Sequence, residues 1–97
     1  MGKPLTMFYV ISYDVAEDKR RNRIAKTLKD YGTRVQYSVF ECLLTANQFD
    51  NLVWELRRLL DPQTDTLRCY RLCQACVDEI VLAGHGDVTR VVDAYIL

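Results

Sequence analysis

The sequence predicts an α+β fold in which an antiparallel sheet carries two helices on one face, and three observations support this prediction. First, the 97 residues are 49% hydrophobic and 27% charged, which is typical of one soluble domain with one core. Second, stretches rich in β-branched and aromatic residues predict strands at the start, middle and end of the chain. Third, two segments between them have the three-and-four spacing of amphipathic helices. The resulting order is βαββαβ, which favours both helices on the same side of the sheet.

The first strand and the first helix form a strand–loop–helix unit. Residues 7–13 are β-branched or aromatic for the most part and predict a central strand that ends at Asp14. Residues 17–31 predict a helix, because two acidic residues at its start favour the positive end of the helix dipole and Gly32 supplies a stop. The apolar stripe of this helix is formed by Ile24, Leu28 and Tyr31.

The next segment predicts more sheet and then the clearest helix of the chain. Residues 34–44 alternate in part between polar and apolar side chains, which predicts two strands joined tightly or one kinked strand. Thr45 and Gln48 have the spacing of a capping box, and apolar residues then recur at three and four. We expect this second helix to end at Asp61 and Pro62.

The C-terminal third predicts further strands. The predicted strands are residues 66–73, 77–82 and 91–97, with a glycine-rich loop at 84–86. Together with the preceding elements they give a ferredoxin-like βαββαβ fold with an additional C-terminal strand. We treat residues 1–6 as a leader and residues 7–97 as one domain.

This arrangement leaves the second face of the sheet uncovered. A chain of this size buries only roughly 65% of its unfolded surface, so extra burial between two copies is expected. The sequence therefore predicts a homodimer, with the last strand available to pair with the edge of the partner's sheet.

Asp14 ends the first strand on the same side of the sheet as Phe8, Val10 and Ser12. Its position alone favours a loop or helix-capping aspartate. The alternative is a carboxylate ligand for Mg²⁺, which takes oxygen ligands and often uses only one or two carboxylates. In a two-fold dimer, two copies of Asp14 could meet and share one cation.

The charge is unevenly distributed, although the net charge is zero. Residues 1–40 carry eight basic and four acidic side chains, whereas residues 41–97 carry five basic and nine acidic ones. The basic residues of the first helix form either a solvated surface or a site for a phosphodiester, since an arginine can hydrogen-bond two phosphate oxygens at once. The sequence lacks the glycine-rich phosphate loop and the nucleophile elbow, which argues against Walker-type and triad chemistry.

The four cysteines are Cys42, Cys69, Cys73 and Cys76. Without an export signal they are expected to be thiols in a cytoplasmic protein, and no apolar run reaches the ~20 residues that a membrane span needs. The last three cysteines and His85 could bind Zn²⁺, but the strand spacing of Cys69 and Cys73 favours apolar packing. A redox pair of Cys73 and Cys76 is disfavoured, because the sequence does not predict a helix that starts there. Inert thiols are the expected state.

Several short stretches, in this order and spacing, resemble the small CRISPR-associated adaptation proteins, the family of CRISPR-associated protein two. The resemblance covers residues 7 to about 84. The stretches are Tyr13-Asp14-Val15, Asp18-Lys19-Arg20-Arg21, Tyr31-Gly32-Thr33-Arg34-Val35-Gln36, Ser38-Val39-Phe40-Glu41 and Tyr70-Arg71-Leu72-Cys73.

The resemblance implies a two-fold dimer that acts on nucleic acid during the acquisition of CRISPR spacers and bridges two dimers of an integrase partner. It also implies an endonuclease that depends on Mg²⁺, with Mn²⁺ as the alternative ion, and acts on single-stranded RNA or double-stranded DNA. By this resemblance Asp14 is the metal-binding acid and Tyr13 a second catalytic candidate. The nucleic-acid-binding candidates are Arg20, Arg21, Arg23, Arg34 and Phe40.

The mechanism expected from these residues is metal-assisted phosphodiester hydrolysis, in which arginines position the backbone of the substrate. Two other functions remain open at this point. One is a non-catalytic scaffold that binds the DNA backbone and bridges integrase dimers. The other is a ferredoxin-like regulatory module that senses a metal or small ligand through its cysteines.

Overall fold

A computed structural model describes residues 5–89 of the chain. Its elements are β1 (Met7–Asp14), α1 (Asp18–Lys29), β2 (Gly32–Gln36), β3 (Val39–Leu44), α2 (Ala46–Leu59), β4 (Thr66–Leu72) and α3 (Gln74–Asp78). Most of the predicted leader and the whole predicted strand at 91–97 lie outside the described residues. No helix within residues 5–89 has the length and apolar character that a membrane crossing requires.

The four strands form one antiparallel sheet in the order β2-β3-β1-β4. β1 lies between β3 and β4, and Ile11 pairs with Phe40 on one side and with Cys69 on the other. The segment predicted as two strands or one kinked strand is two strands, joined by a turn at Tyr37 and Ser38. The predicted α+β class and antiparallel sheet are confirmed.

The core lies between the sheet and the two long helices. Alternate residues of β1 point into it, and they are packed against buried residues of α1 and α2. The central members are Tyr9, Ile11, Tyr13, Ile24, Leu28, Leu52 and Leu56. Tyr9 also stacks on Phe49 of α2, with ring centroids 4.1 Å apart. Each fully buried aliphatic side chain contributes roughly 1.5–3 kcal/mol, so this one-sided core accounts for the position of both helices on the same face.

Both long helices begin at a capping residue, and the cap of α2 is the one that the sequence predicts. The Glu17 carboxylate accepts a hydrogen bond from the backbone N–H of Arg20 at the start of α1. At α2 the capping box is complete: the Gln48 N–H donates to Thr45 Oγ1 at 3.2 Å, and the Thr45 N–H donates to Gln48 Oε1 at 2.9 Å. These bonds satisfy backbone donors that the first turn of a helix leaves free.

Gly32 is not the helix stop that the sequence predicted. The helix ends at Lys29 with Asp30 as its cap, and Gly32 is the first residue of β2. It lies opposite Cys42, and a Cβ at this position would overlap Cys42 Sγ and the carbonyl oxygen of Glu41. Glycine is therefore needed here for the close approach of β2 to β3.

The strand predicted at residues 77–82 is wrong, because the chain turns into the short helix α3 after β4. The Val77 N–H donates to the Cys73 carbonyl oxygen at 2.9 Å, and the Gln74 side-chain amide donates to Asp78 Oδ1 at 2.9 Å. Both contacts have the i to i+4 spacing of a helix. Val81 is 89% exposed, so the apolar run that suggested a strand has no sheet to join.

On the sheet face that points away from α1 and α2, the two ends of β1 differ in solvent exposure. Phe8 is only 4% exposed on this face, although α1 and α2 pack on the other one. Together with Val77 and Val88 it lines a cleft of about 840 Å³. The Thr89 N–H donates to Glu41 Oε1 at 3.1 Å and so holds the end of this segment against β3. Residues 77–89 thus cover the start of β1, whereas its end at Asp14 is exposed.

Candidate active site and nucleic-acid interface

The last two residues of β1 project to opposite sides of the sheet. Tyr13 points into the core between sheet and helices and is 4% exposed, whereas Asp14 is exposed on the other face. Within residues 5–89 every ion pair is made by Arg20 or Arg21 with another acid, so the Asp14 carboxylate is not neutralised. An exposed carboxylate of this kind can bind a cation or repel a phosphate, according to what accompanies it.

The hydroxyl of Tyr13 joins β1 to the turn between β2 and β3. It donates to the carbonyl oxygen of Tyr37 and accepts from Arg34 Nη2, both at 3.4 Å. The Tyr13 N–H also donates to the Ser38 carbonyl oxygen at 3.1 Å. These bonds fix the turn beside the end of β1.

Two arginines stack on the ring of Tyr37. The guanidinium carbon of Arg21 lies 5.9 Å from the ring centroid, and that of Arg34 lies 5.8 Å from it. Arg34 also lies 5.4 Å from the ring centroid of Phe40. We call Tyr13, Arg21, Arg34, Tyr37 and Phe40 the tyrosine–arginine cluster.

The cluster presents charge and an aromatic surface to solvent. Tyr37 is 68% exposed and Arg34 is exposed, so both can contact a ligand. Phe40 has no exposed surface, and any role toward nucleic acid is therefore indirect, through the guanidinium that lies over its ring. An exposed aromatic ring with two guanidinium groups close to it combines a stacking surface for a base with donors for phosphate.

Arg21 links the start of α1 to the end of β1. Its Nη1 donates to the Val15 carbonyl oxygen at 3.0 Å, and its Nη2 pairs with Asp18 one turn earlier on the helix. The Asp18 carboxylate raises the pKa of Arg21, so this guanidinium carries its charge at any relevant pH. Its Nε is buried and has no hydrogen-bond partner within residues 5–89. The cluster is thus anchored one residue beyond Asp14.

Arg20, a nucleic-acid-binding candidate in the sequence, makes its contacts here within the protein. Its Nε donates to Asp65 Oδ2 at 2.6 Å, its Nη2 to Asp65 Oδ1 at 3.3 Å and its Nη1 to Glu17 Oε2 at 3.4 Å, so each of the three guanidinium nitrogens has a partner in the chain. The Asp65 side chain is inaccessible to solvent and also accepts the Asp61 N–H at 2.9 Å. Hydrogen bonds from Arg20 hold the pKa of Asp65 well below its usual range. Arg20 fastens α1 to the loop before β4, whereas Arg23 is exposed on α1.

The cysteines fall into two groups. Cys42 is fully buried, and burial raises its pKa to about 12. Cys69 is partly buried, and burial raises its pKa as well. Cys73 and Cys76 are exposed, with their sulfur atoms 3.4 Å apart. The prediction that this pair is remote from a helix start is wrong, since Cys73 is the N-cap of α3.

No metal site is complete within residues 5–89, because no group of three or more His, Cys, Asp or Glu side chains converges there. The described residues therefore give no support to the zinc alternative or to a metal-sensing module built on the cysteines. Asp14 is an exposed carboxylate without an ion-pair partner among residues 5–89, and its oxygens are of the kind that Mg²⁺ takes as ligands. One carboxylate fills only part of an octahedral shell, so the remaining ligands have to come from water, substrate or a second copy.

Two residues of this region were missed from the sequence. Tyr37 is an exposed aromatic residue at a strand turn with an arginine three positions earlier, and this spacing was a usable signal. Asp65 lies 45 residues from Arg20, and no local pattern indicates their pairing.

Fold and site together define a small α+β protein in which an exposed carboxylate ends β1 and a basic, aromatic cluster is attached to the next residue, Val15. The family model for "CRISPR associated protein Cas2" matches residues 7–80. The CRISPR-associated endoribonuclease Cas2 3 of Chloroflexus aurantiacus is 49% identical over 85 residues, which cover 88% of this chain and 91% of that protein. The chain therefore belongs to the Cas2 family.

Solved structures agree with this assignment. The crystal structure of Streptococcus pyogenes Cas2 matches with a TM-score of 0.72 and 35% identity, over 80% of this chain and 100% of that chain. A chain of a partial Cas6-RT-Cas1–Cas2 complex matches with a TM-score of 0.67 and 27% identity, over 77% of this chain and 88% of that chain. The resemblance inferred from the short sequence stretches is confirmed.

Proposed function

We propose that the protein is a Mg²⁺-dependent endonuclease of CRISPR adaptation, with single-stranded RNA as its preferred substrate. The observation that carries the proposal is the exposed Asp14 carboxylate at the end of β1, one residue before Val15, whose carbonyl oxygen accepts a hydrogen bond from Arg21 of the tyrosine–arginine cluster. The relative from Chloroflexus aurantiacus is named an endoribonuclease, which supports the same activity. The exposed ring of Tyr37 favours unpaired bases, because only these can stack on an aromatic side chain.

Substrate binding is assigned to the two arginines and the ring of the cluster. Arg34 is exposed and carries a permanent charge, so it can donate two hydrogen bonds to one phosphate. Arg21 is held by Val15 and Asp18 and contributes its charge from a fixed position. Tyr13 serves as a positioning residue, because its hydroxyl holds both Arg34 and the Tyr37 turn.

Asp14 is assigned to metal binding. When bound, Mg²⁺ supplies the polarisation of phosphate and water that phosphodiester hydrolysis needs. A second copy of the chain would contribute a second Asp14, and we propose a homodimer that meets through the exposed face of the sheet. On this face Tyr70, which pairs with Val10 of β1, is 49% exposed and accepts a hydrogen bond from Arg68 Nη1 at 3.3 Å. The strand order β2-β3-β1-β4 supports a ferredoxin-like topology, which leaves this face free for a partner.

The decisive experiment compares Asp14→Asn with Asp50→Asn, which changes an exposed acid on α2. Both variants and the unaltered protein are incubated with labelled single-stranded RNA and with duplex DNA, in Mg²⁺, in Mn²⁺ and in EDTA. Asp14→Asn should abolish cleavage and Asp50→Asn should retain it. Equal cleavage by Asp14→Asn and the unaltered protein would remove Asp14 from the mechanism. Light scattering coupled to gel filtration gives the oligomeric state, and a strictly monomeric chain would contradict the two-copy site.

A second candidate is a scaffold role in which the protein binds nucleic acid and the Cas1 integrase without cleaving. It is favoured by the match to a chain of a Cas1–Cas2 complex and by the finding that no group of three or more metal-ligating side chains converges within residues 5–89. The two roles separate in the Asp14→Asn variant. A scaffold keeps its affinity for nucleic acid and for Cas1 in this variant, and its binding weakens steeply with salt.

A further inference from the structure

Cys73 and Cys76 form a close pair of accessible thiols at the end of β4. Cys73 follows the last residue of the strand, and Cys76 lies one helical turn later in α3. Their sulfur atoms are 3.4 Å apart, and both residues are exposed. A disulfide has a sulfur–sulfur distance of about 2.05 Å, so the two sulfur atoms have to approach each other by only about 1.4 Å to form it.

The two thiols differ in their electrostatic surroundings. The backbone amide of Cys76, together with its thiol, lowers the pKa of Cys73, whereas Cys73 raises the pKa of Cys76. A thiol with a lowered pKa provides the thiolate that attacks a disulfide, and a protonated neighbour acts later as the resolving thiol. Geometry and charge therefore assign different roles to the two sulfurs.

The other two cysteines are buried or partly buried, and neither has a lowered pKa. Cys42 is fully buried beneath α1 and α2, and Cys69 is partly buried on the same side of the sheet. Burial raises the pKa of each, which makes them poor nucleophiles. They serve as internal controls for any reaction at the exposed pair.

We propose that Cys73 and Cys76 are a reversible dithiol–disulfide site that exchanges with low-molecular-weight disulfides. In the first step the Cys73 thiolate attacks one sulfur of R–S–S–R; that bond breaks, RS⁻ leaves and a mixed disulfide forms on Cys73. In the second step Cys76 loses its proton and attacks Cys73 Sγ, and a second RS⁻ leaves. Two protein thiols are oxidised, R–S–S–R is reduced, and the two protons are taken up by the two leaving thiolates. This proposal does not depend on the nuclease activity.

The Cys73–Cys76 pair lies next to residues 77–89, which cover the start of β1, so a disulfide here would affect this segment. Cys73 and Val77 both line the cleft that also contains Phe8 and Leu43. A bond between Cys73 and Cys76 closes the first turn of α3 and fixes the direction in which the chain leaves toward Ile80. The oxidised form should therefore hold residues 77–89 more firmly over the start of β1.

The test uses the full chain and glutathione disulfide as the probe, across a series of ratios to reduced glutathione at pH 7. After acid quenching, the free thiols are labelled with a maleimide and mapped by peptide mass spectrometry. The unaltered protein should lose two thiols and yield a peptide cross-linked between Cys73 and Cys76, with Cys42 and Cys69 labelled. Cys76→Ser should accumulate glutathione on Cys73, and Cys73→Ser should accumulate it on Cys76 several-fold more slowly.

Three results would overturn the proposal: no cross-linked peptide at any ratio, a cross-link that involves Cys69, or glutathione that remains on both exposed cysteines without an internal bond. Hydrogen exchange tests the structural effect separately. Amides in residues 77–82 should exchange several-fold more slowly in the oxidised form, and equal exchange in both forms would refute the coupling to this segment.

Discussion

Replacement of Tyr37 by alanine should weaken the binding of single-stranded RNA and leave the fold intact. The ring is 68% exposed, and its contacts with the protein are the guanidinium groups of Arg21 and Arg34 at 5.9 and 5.8 Å from its centroid. Loss of an exposed ring therefore removes little buried surface.

The size of the effect follows from one stacked base. An aromatic side chain that stacks on a base is worth about 1–3 kcal/mol, and 1.4 kcal/mol is a tenfold change in affinity. Tyr37→Ala should therefore raise the Kd by about 5- to 150-fold. The slope of affinity against salt should stay the same, because no charge is removed. By contrast, Arg34→Gln should lower that slope by about one, since one phosphate contact is lost.

The assay is fluorescence anisotropy with a labelled single-stranded RNA at several fixed salt concentrations. Tyr37→Phe keeps the ring and should bind like the unaltered protein. Trp54→Ala is the matched control, because Trp54 is 61% exposed on α2 and has the Arg58 guanidinium 4.6 Å from its ring centroid. The assignment of Tyr37 fails when Tyr37→Ala binds as tightly as the unaltered protein, or when Trp54→Ala weakens binding equally.

Three further predictions concern stability. The pKa of Asp65 is lowered in the folded state, so its ion pair with Arg20 stabilises the fold above the unfolded pKa of ~3.9 and this contribution is lost as pH falls further. Thermal unfolding followed by circular dichroism between pH 2 and 7 should show a steeper acid loss for the unaltered protein than for Asp65→Asn; parallel curves would refute this. Thr45→Ala should lower the free energy of unfolding by about 1 kcal/mol and the Tm by about 4–8 °C, whereas Thr45→Ser should keep the cap. Leu52 is fully buried, so Leu52→Ala should lower the free energy of unfolding, measured with urea, by about 2–5 kcal/mol. A smaller decrease would show that the core collapses around the gap.

Elements with a strong local pattern were predictable from the sequence. The capping box at Thr45 and the spacing of apolar residues located α2. Alternation predicted sheet structure at residues 34–44 but left open whether it is two strands or one kinked strand. The prediction of a strand at residues 77–82 is wrong because a short apolar run fits a strand and a helical turn equally well. The choice was decided by the i to i+4 pair of Gln74 and Asp78, and Val81 pairs with none of the strands within residues 5–89.

The candidate site was predictable only in part. Asp14 follows a strongly apolar strand, so its place at the end of that strand could be inferred from the residues before it. The partner of Arg20 could not be inferred from the sequence, because Asp65 comes close to Arg20 only after α2 has returned the chain to α1. The exposure of Tyr37 depends on the irregular register between Arg34 and Gln36, which alternation alone does not reveal.

The opposite orientations of Tyr13 and Asp14 make the length of β1 as important as its composition. A strand reverses its inside and outside when one residue is deleted, because side chains alternate with a period of two. Loss of a single residue before Tyr13 would drive the Asp14 carboxylate into the apolar interior and expel the tyrosine ring to water. The effect of a substitution in β1 therefore depends on the size and polarity of the new side chain. A change in the number of residues has a larger effect, because it exchanges the positions of the Asp14 carboxylate and the Tyr13 ring.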